Sequence, residues 1–260
     1  MFNASPDIRQ QIDASPPLQP RARGPLRHSP IAAVVLTNAD IDHIAGLLSL
    51  REREPFILYA TARVLKTLAE NSIFRALDPV LVIRKELPLE GKLEIEGPDG
   101  PLGLVVETFA VPGKVALFLE DQSAADENFG TEEGDTIGVK ISQADSEKSA
   151  LYYIPGCAAV DDTLRARLEG ASCLLFDGTV FTDAEMQETG VGEKTGSRMG
   201  HIAISGPDGS LRALAGTSIG RRIFVHINNT NPILAPGSEA EQTVKDADWE
   251  ISHDGMEIEL

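Results

Sequence analysis

Cysteine and long apolar stretches are both scarce in this sequence. Its 260 residues include two cysteines, Cys157 and Cys173, which are too few for a disulfide framework and too far apart for a zinc ribbon. No window approaches the roughly 18 apolar residues of a membrane-spanning helix, and the N-terminal segment lacks the apolar core of a secretion signal. These absences favour a reducing compartment, and we expect a cytoplasmic location.

Positive charge is also in short supply. The chain has 23 Lys and Arg against 40 Asp and Glu, a formal net charge of −17, so its field repels nucleic-acid phosphates and anionic membrane surfaces. With 42% hydrophobic and 24% charged residues, the composition is that of an ordinary globular protein. We therefore expect a single domain over residues 1–260, without nucleic-acid binding or membrane insertion, and leave formation of a homo-oligomer open.

The first half of the chain shows alternating strand and helix patterns, followed by a run of strands. An apolar, β-branched run over residues 31–37 is typical of a buried strand, and helical spacing follows over residues 44–52. The order recurs with FILYA as a strand and residues 61–71 as a helix, after which KLEIEG, LVVETFA and VALFLED each predict a strand. The polar NADIDH segment therefore lies at a strand-to-helix junction, where functional sites are common.

The second half repeats this alternation after an acidic interruption. Residues 122–148 are acidic and contain glycine, which predicts a surface excursion or an extended hairpin. ALYYI, SCLLFDGT and RRIFVHINN predict strands, and DDTLRARLEG predicts a helix capped by Asp161 or Asp162. The C-terminal WEISHDGMEIEL predicts two strands around a hairpin turn at Asp254 and Gly255.

Three predicted strands end in ionisable residues. Asp40, Asp42 and His43 follow the first strand, Asp177 ends the second, and His226 ends the third. Adjacent Asp42 and His43 can address one cation from a tight turn, and His226 would complete a set of two imidazoles and one carboxylate with open positions. Such a set suits non-haem iron(II), and it also accepts zinc.

Each of these residues has a structural alternative that spacing alone leaves open. An Asp-His pair before a helix often serves as an N-cap with a neighbouring hydrogen bond. His226 can be a hydrogen-bonded buried histidine, and the asparagines after it can form Asx turns. No basic neighbour of Cys157 is evident, so a buried structural cysteine is the favoured interpretation there.

The segment LTNADIDHIAGLL resembles the metallo-β-lactamase superfamily signature, whose usual form is His, any residue, His, any residue, Asp, His. Asn38 and Asp40 occupy the two leading histidine positions, whereas Asp42 and His43 keep the final Asp and His. This departure resembles the PqqB family of pyrroloquinoline quinone (PQQ) biosynthesis. Matching segments run from end to end: NASPDIRQQI, DIDHIAGLLSLRE, GKVALFLED, LLFDGTVFTDAEMQETGVG, TGSRMGHIAI, HINNTNPIL and DGMEIEL.

The resemblance implies an α/β fold, the metallo-β-lactamase-like αββα four-layer sandwich. It implies that Asp42, His43 and His226 bind the metal. Asp40, Asp177 and His201 would then lie close by as substrate-facing or supporting catalytic groups. Family members typically carry an earlier glycine-rich strand and a cysteine cluster that holds a structural zinc, and we expect the present sequence to lack both.

The resemblance also implies a role in making the quinone cofactor. The family is thought to hydroxylate the tyrosine ring of a peptide-derived glutamate–tyrosine precursor with iron(II) and dioxygen. An alternative is a non-catalytic carrier that takes PQQ or its precursor toward the periplasm. An open metal site favours the hydroxylase, because a carrier needs no vacant positions. Loss of the two leading histidines disfavours a third alternative, the two-metal hydrolase.

Overall fold

The computed structural model describes residues 1–21, 23–24, 27–121, 123 and 129–260, and these residues form two compact units. The first unit consists of Met1–Thr108 and Val115–Asp135, and the second of Phe109–Lys114 and Thr136–Leu260. Most of the predicted acidic excursion before residue 129 lies outside the described residues. The assignment of the whole chain to a single domain stays a prediction.

The first unit is built on a parallel sheet in the order β1, β2, β3. Its strands are β1 (Ala33–Val35), β2 (Phe56–Ala60) and β3 (Val82–Glu86). Every residue of β1 and β2 is buried, as the continuous apolar runs predict. The charged sequence of β3 carries no such signal, and this strand was not predicted.

Short helices connect these strands, as parallel pairing requires. The connecting helices are α2 (Ile41–Ile44), with a 3-10 continuation over Ala45–Leu50, and α3 (Ala62–Glu70), whereas α1 (Ile8–Ala14) precedes β1. The helix predicted over residues 61–71 is confirmed, and the Thr61 hydroxyl caps it by accepting from the Val64 amide. The helix predicted over residues 44–52 begins earlier than expected and tightens into the 3-10 form.

Gly46 lies where neighbouring backbone leaves no room for a side chain. Its replacement therefore tests the packing of the first unit. A Cβ atom at Gly46 would lie 2.1 Å from the Ser5 carbonyl oxygen, and the Gly46 amide donates to Ala4. We expect Gly46→Ala to lower the free energy of unfolding by about 3 kcal/mol, the upper end of the range for overpacking. Urea denaturation measures this loss. Gly192→Ala is the matched control, because its Cβ would first meet flexible Met186 atoms at 3.4 Å.

An antiparallel hairpin of β4 (Lys92–Gly97) and β5 (Gly100–Ala110) follows, and the last two residues of β5 belong to the second unit. The prediction of a strand from VALFLED is wrong. Its centre is a 3-10 turn over Leu117–Leu119, and all three side chains in it are at least 37% exposed. An apolar run predicts a buried strand only where a neighbouring strand or core covers it.

The second unit contains a sheet in the order β10, β9, β8, β7, β6. Its strands are β6 (Ile137–Gln143), β7 (Ser146–Ile154), β8 (Ala171–Asp177), β9 (Ile219–Val225) and β10 (Glu250–Ile251). β6 and β7 form the antiparallel hairpin expected of the acidic region, and β7 to β10 pair in parallel. The segment IGVKI of this region lies in β6, and its Ile137 and Val139 are fully buried.

Helices of the second unit are α4 (Asp162–Leu168), α5 (Glu185–Glu188), α6 (Gly196–Met199), α7 (Ser210–Ala213) and α8 (Glu239–Asp246). Asp161 caps α4 by accepting from the Leu164 amide, as predicted. Trp249 stacks on Phe224 with ring centroids 4.2 Å apart and meets the edge of Phe176. This aromatic group anchors β8 and β9 in the core beside their functional ends.

The predicted C-terminal hairpin is wrong. β10 pairs in parallel with β9, and among the described residues after Ile251 the chain forms a turn without a second strand. The Met256 amide donates to His253, and Gly255 takes a positive φ of 81°. The dipeptide therefore makes the expected turn, but the apolar residues beyond it find no strand partner.

None of the described helices combines the length and hydrophobicity that crossing a bilayer demands.

Candidate metal centre

In the second unit, the main site residues lie at one edge of the sheet, where two adjacent parallel strands end. Asp177 is the last residue of β8 and lies opposite Val225, the last residue of β9. His226 follows directly. His201 arrives from α6 after Gly200, which ends that helix in the left-handed conformation. The shared edge is the place where parallel sheets bring strand ends together.

Asp177, Thr179, His201 and His226 form a connected hydrogen-bond cluster. Asp177 Oδ2 lies 2.7 Å from His201 Nδ1, and Asp177 Oδ1 lies 2.6 Å from the Thr179 hydroxyl oxygen. That hydroxyl oxygen is also 2.7 Å from His226 Nδ1 and 3.0 Å from His201 Nδ1. The two imidazole rings stack with centroids 5.2 Å apart.

The Asp177 carboxylate is fully buried, yet it is held in the ionised form. Burial by itself raises the pKa of this carboxyl, but the neighbouring His201 and His226 rings and the Thr179 hydroxyl outweigh it, and the pKa lies below its ordinary value. The Cys157 and Thr179 amides also donate to its oxygens, at 2.9 and 3.0 Å. A buried carboxylate with this many donors is stabilised as an anion.

Asp177, His201 and His226 place ligand atoms within 4.8 Å of one another, a spacing that a metal ion could bridge. Both Asp177 oxygens, however, already accept hydrogen bonds from the protein. The donors include two backbone amides, one hydroxyl group and one imidazole. The arrangement favours Asp177 as a carboxylate that orients imidazoles, a common supporting role beside metals. Its catalytic role, and that of His201, stay predictions.

His226 has a backbone conformation that few non-glycine residues adopt. Its φ is 55°, in the left-handed region that costs about 1–2 kcal/mol for a residue with a Cβ. The following loop is tied down by Asn231, whose amide group donates to the Gly178 carbonyl at 2.9 Å. The hydroxyl of Thr230 donates to buried Glu185 at 2.6 Å. Strain held in place by such contacts is typical of functional positions.

In the first unit, the residues after β1 form a second polar arrangement. His43 is buried on α2, and its Nδ1 atom is hydrogen-bonded to Asn38 Oδ1. The Asp40 amide donates to the same oxygen at 3.0 Å. Asp40 occupies the N-cap position without a side-chain cap bond, and Asp42 lies exposed in the first turn.

The six predicted site residues thus fall into two groups. Asp40, Asp42 and His43 lie in the first unit, and the second unit brings Asp177, His201 and His226 together. The ligand set predicted from sequence draws on both units, and its convergence stays a prediction. Two residues were missed in the supporting roles that they have here, Asn38 beside His43 and Thr179 beside His226.

The donor chemistry of the predicted set suits a divalent transition metal. His43 and His226 are each held by the protein through Nδ1, so Nε2 is the atom that each ring would present to an ion. Imidazole bound through one nitrogen and oriented through the other is the usual arrangement at protein metal sites. Together with a carboxylate, these donors fit iron(II) or zinc.

Within the part of the chain that the structure describes, neither cysteine belongs to a group of side chains that could hold a metal ion. Cys157 and Cys173 are both free and buried, and burial raises the pKa of the Cys157 thiol well above its ordinary range. The Cys157 thiol donates to the Ala159 carbonyl. The favoured interpretation of Cys157 as a buried structural cysteine is confirmed.

We expect the Cys157→Ser, Cys173→Ser double variant to keep the metal content of the parent protein. The thiols bind no ion in this account, and serine is close to cysteine in size. Elemental analysis of the purified variant checks the result. Loss of one equivalent of zinc with the two thiols would contradict it, provided that circular dichroism shows a folded protein.

The fold and the site define the class of protein. A family model of the beta-lactamase superfamily domain matches residues 1–227, and the predicted fold class is confirmed. A diphosphatase of the PhnP family shares this fold, with a TM-score of 0.61 at 16% identity over 100% of this chain and 79% of that chain.

More similar proteins narrow the class to one family. Coenzyme PQQ synthesis protein B from Xanthomonas oryzae pv. oryzae (strain MAFF 311018) is 48% identical over 260 residues, and that from Methylobacterium sp. (strain 4-46) is 51% identical over 261 residues. Each match covers 100% of this chain and 83% of the relative. Zn²⁺-bound PqqB from Methylobacterium extorquens has a TM-score of 0.91 at 49% identity, over 100% of this chain and 82% of that chain. The chain belongs to the PqqB family.

Proposed function

We propose that this chain acts in PQQ biosynthesis as an iron(II)-dependent hydroxylase of the tyrosine ring in a glutamate–tyrosine precursor. Identity of about half to proteins named for PQQ synthesis, over the whole chain, supports the pathway. The observation that carries the chemistry is the orientation of His43 and His226, each bonded to the protein through Nδ1. In the proposal, these two imidazoles and the Asp42 carboxylate hold the metal.

Three protein ligands leave room on the metal for other molecules. When bound, iron(II) supplies the activation of dioxygen at positions that the protein leaves open. One oxygen atom of dioxygen is added to a ring carbon as a hydroxyl group, which replaces a hydrogen atom there. The other leaves as water, with two electrons and two protons from an external reductant such as ascorbate. Sequestration of the ring by the protein would limit oxidation of other groups.

In this proposal, the remaining site residues exchange protons with the substrate and orient it. Asp177 holds a proton at His201 Nδ1, so the His201 ring would exchange protons with the substrate phenol through Nε2. General acid–base groups of this kind typically contribute about 10²- to 10⁴-fold to rate. Asp40, at the start of α2, is assigned to contact with the polar groups of the substrate.

Oxygen uptake by iron-reconstituted protein tests the proposal. The metal-free chain is loaded with iron(II) without oxygen and mixed with the glutamate–tyrosine substrate and ascorbate, and dioxygen is then admitted. We expect substrate-dependent oxygen uptake and a hydroxylated ring detected by mass spectrometry. Tight binding of the precursor or of PQQ without oxygen uptake would overturn the hydroxylase and favour the carrier.

A further inference from the structure

Thr179 stands at the centre of the cluster on the second unit, and its hydroxyl group has more neighbours than its single proton can serve. Its oxygen lies within 3.0 Å of Asp177 Oδ1, His201 Nδ1 and His226 Nδ1, and 3.1 Å from the His226 carbonyl oxygen. A hydroxyl group has one proton to donate and two lone pairs to accept with. The directions of these hydrogen bonds can therefore be assigned one by one.

The Thr179 hydroxyl donates its proton to Asp177, whose oxygen is a closer acceptor than the His226 carbonyl oxygen. The Thr179 hydroxyl oxygen and Asp177 Oδ1 are 2.6 Å apart, a separation that requires a proton between them. Asp177 also accepts from the Cys157 and Thr179 amides, as an ionised carboxylate does, and has no proton of its own to give. The threonine hydroxyl is consequently the donor in this bond.

With its proton committed to Asp177, the Thr179 oxygen can only accept from the imidazoles. The contact of 2.7 Å to His226 Nδ1 then requires a hydrogen on that nitrogen. By the same reasoning, the contact of 2.7 Å between His201 Nδ1 and Asp177 Oδ2 requires a hydrogen on His201 Nδ1. In the neutral form, each ring carries its lone pair on Nε2.

We propose that Thr179 is a positioning residue that fixes His226 in the Nδ1–H tautomer, so that Nε2 is presented as a ligand for a divalent transition metal. Asp177 is hydrogen-bonded to His201 directly, and the Thr179 hydroxyl links it to His226. The residue contacts no substrate in this account. The assignment rests on the metal site of the proposed function, but it does not depend on which reaction follows.

The loop around His226 keeps Thr179 in place for this role. Asn231 donates to the Gly178 carbonyl, and the Asn228 amide donates to the Thr179 carbonyl at 3.1 Å. The Gly178 amide donates to the Val225 carbonyl at 2.8 Å, so the segment Gly178–Thr179 is hydrogen-bonded to residues on both sides of the histidine that it orients. A ring held in this way loses little freedom when it binds an ion.

The tautomer can be read directly in metal-free protein by nitrogen NMR of histidine-labelled chain at about pH 8.5, where ordinary imidazoles are neutral. The five histidines are assigned by variants, with His226→Ala removing the signal of interest. We expect Nδ1–H for His226 in the parent and in Thr179→Ser, and loss of that preference in Thr179→Val. An Nε2–H form in the parent protein would overturn the proposal, whether or not any variant folds.

Zinc binding to the same proteins supplies the second readout. We expect Thr179→Val to bind Zn²⁺ about 10- to 100-fold more weakly, the usual effect of losing a supporting partner, with recovery in Thr179→Ser. Thr67→Val is the matched control, because Thr67 is also buried and its hydroxyl donates to the Arg63 backbone carbonyl. Parent-like zinc affinity in a folded Thr179→Val protein would contradict the proposal. Neither readout uses dioxygen or precursor, so failure of hydroxylation would leave this result intact.

Discussion

Replacing His226 by alanine is expected to reduce substrate-dependent oxygen uptake to background and to leave iron(II) unbound. The change removes one of two nitrogen ligands in the proposed centre, and an aspartate and a single histidine provide too few donors to retain the ion. It also removes the ring that Thr179 holds at 2.7 Å. Metal analysis after anaerobic reconstitution, followed by oxygen-electrode measurements, checks both effects.

His253→Ala is the matched control for this variant. His253 is exposed near the C-terminus, and its ring contacts the carbonyl of neighbouring Asp254. We expect parent-like iron content and oxygen uptake from it. Retained oxygen-dependent turnover in His226→Ala would end the account of the centre as proposed.

Asp177→Asn should have the second largest effect, and a different one. We expect the variant to keep its iron while turnover falls by about 10²- to 10⁴-fold, the range for losing a group that manages protons. The physical reason is that Asp177 bonds to His201 and Thr179 through oxygens already occupied by protein donors. We expect the asparagine to keep its carbonyl oxygen toward Thr179, which preserves the His226 ligand, and to turn its amide group toward His201, which removes the acceptor for the His201 Nδ1 proton. Iron content and the turnover number are measured on the same preparation.

Asp183→Asn is the control for this change, since the Asp183 carboxylate accepts from the Ser197 amide on the surface and should leave both quantities unchanged. Loss of stability in Asp177→Asn is monitored by thermal unfolding, because one unsatisfied buried donor costs about 1–3 kcal/mol. If folded Asp177→Asn loses iron as completely as His226→Ala, Asp177 is itself a metal ligand.

The sequence predicts the fold well where local pattern and packing agree. β2 and α3 follow from an apolar run and a capped periodic segment, and both match the structure. VALFLED and the C-terminal hairpin failed for a common reason. Each has strand-like composition, but the pairing that makes a strand comes from distant parts of the chain. Among the described residues, neither VALFLED nor the residues after Ile251 find such a partner.

The site likewise contains some features that could be predicted from the sequence and others that could not. Asp177 and His226 could be predicted as neighbours, because they end strands that proved adjacent and parallel. The support that Thr179 gives His226, and that Asn38 gives His43, could not be predicted, because hydrogen-bond directions depend on side-chain geometry that spacing does not contain. The available signals were weak, a threonine two residues beyond a strand-end acid and an asparagine in a histidine position of the superfamily signature.

In the proposed reaction, this chain adds an oxygen atom from dioxygen to the tyrosine ring of its precursor. A single-turnover reaction of the iron-loaded protein with isotopically heavy dioxygen, followed by mass spectrometry of the product, identifies the source of that atom. We expect one heavy oxygen atom for each hydroxyl group added to the ring, and none in the product of His226→Ala. Precursor recovered unchanged from a folded, iron-loaded protein, or a new hydroxyl oxygen that comes from water, would contradict it.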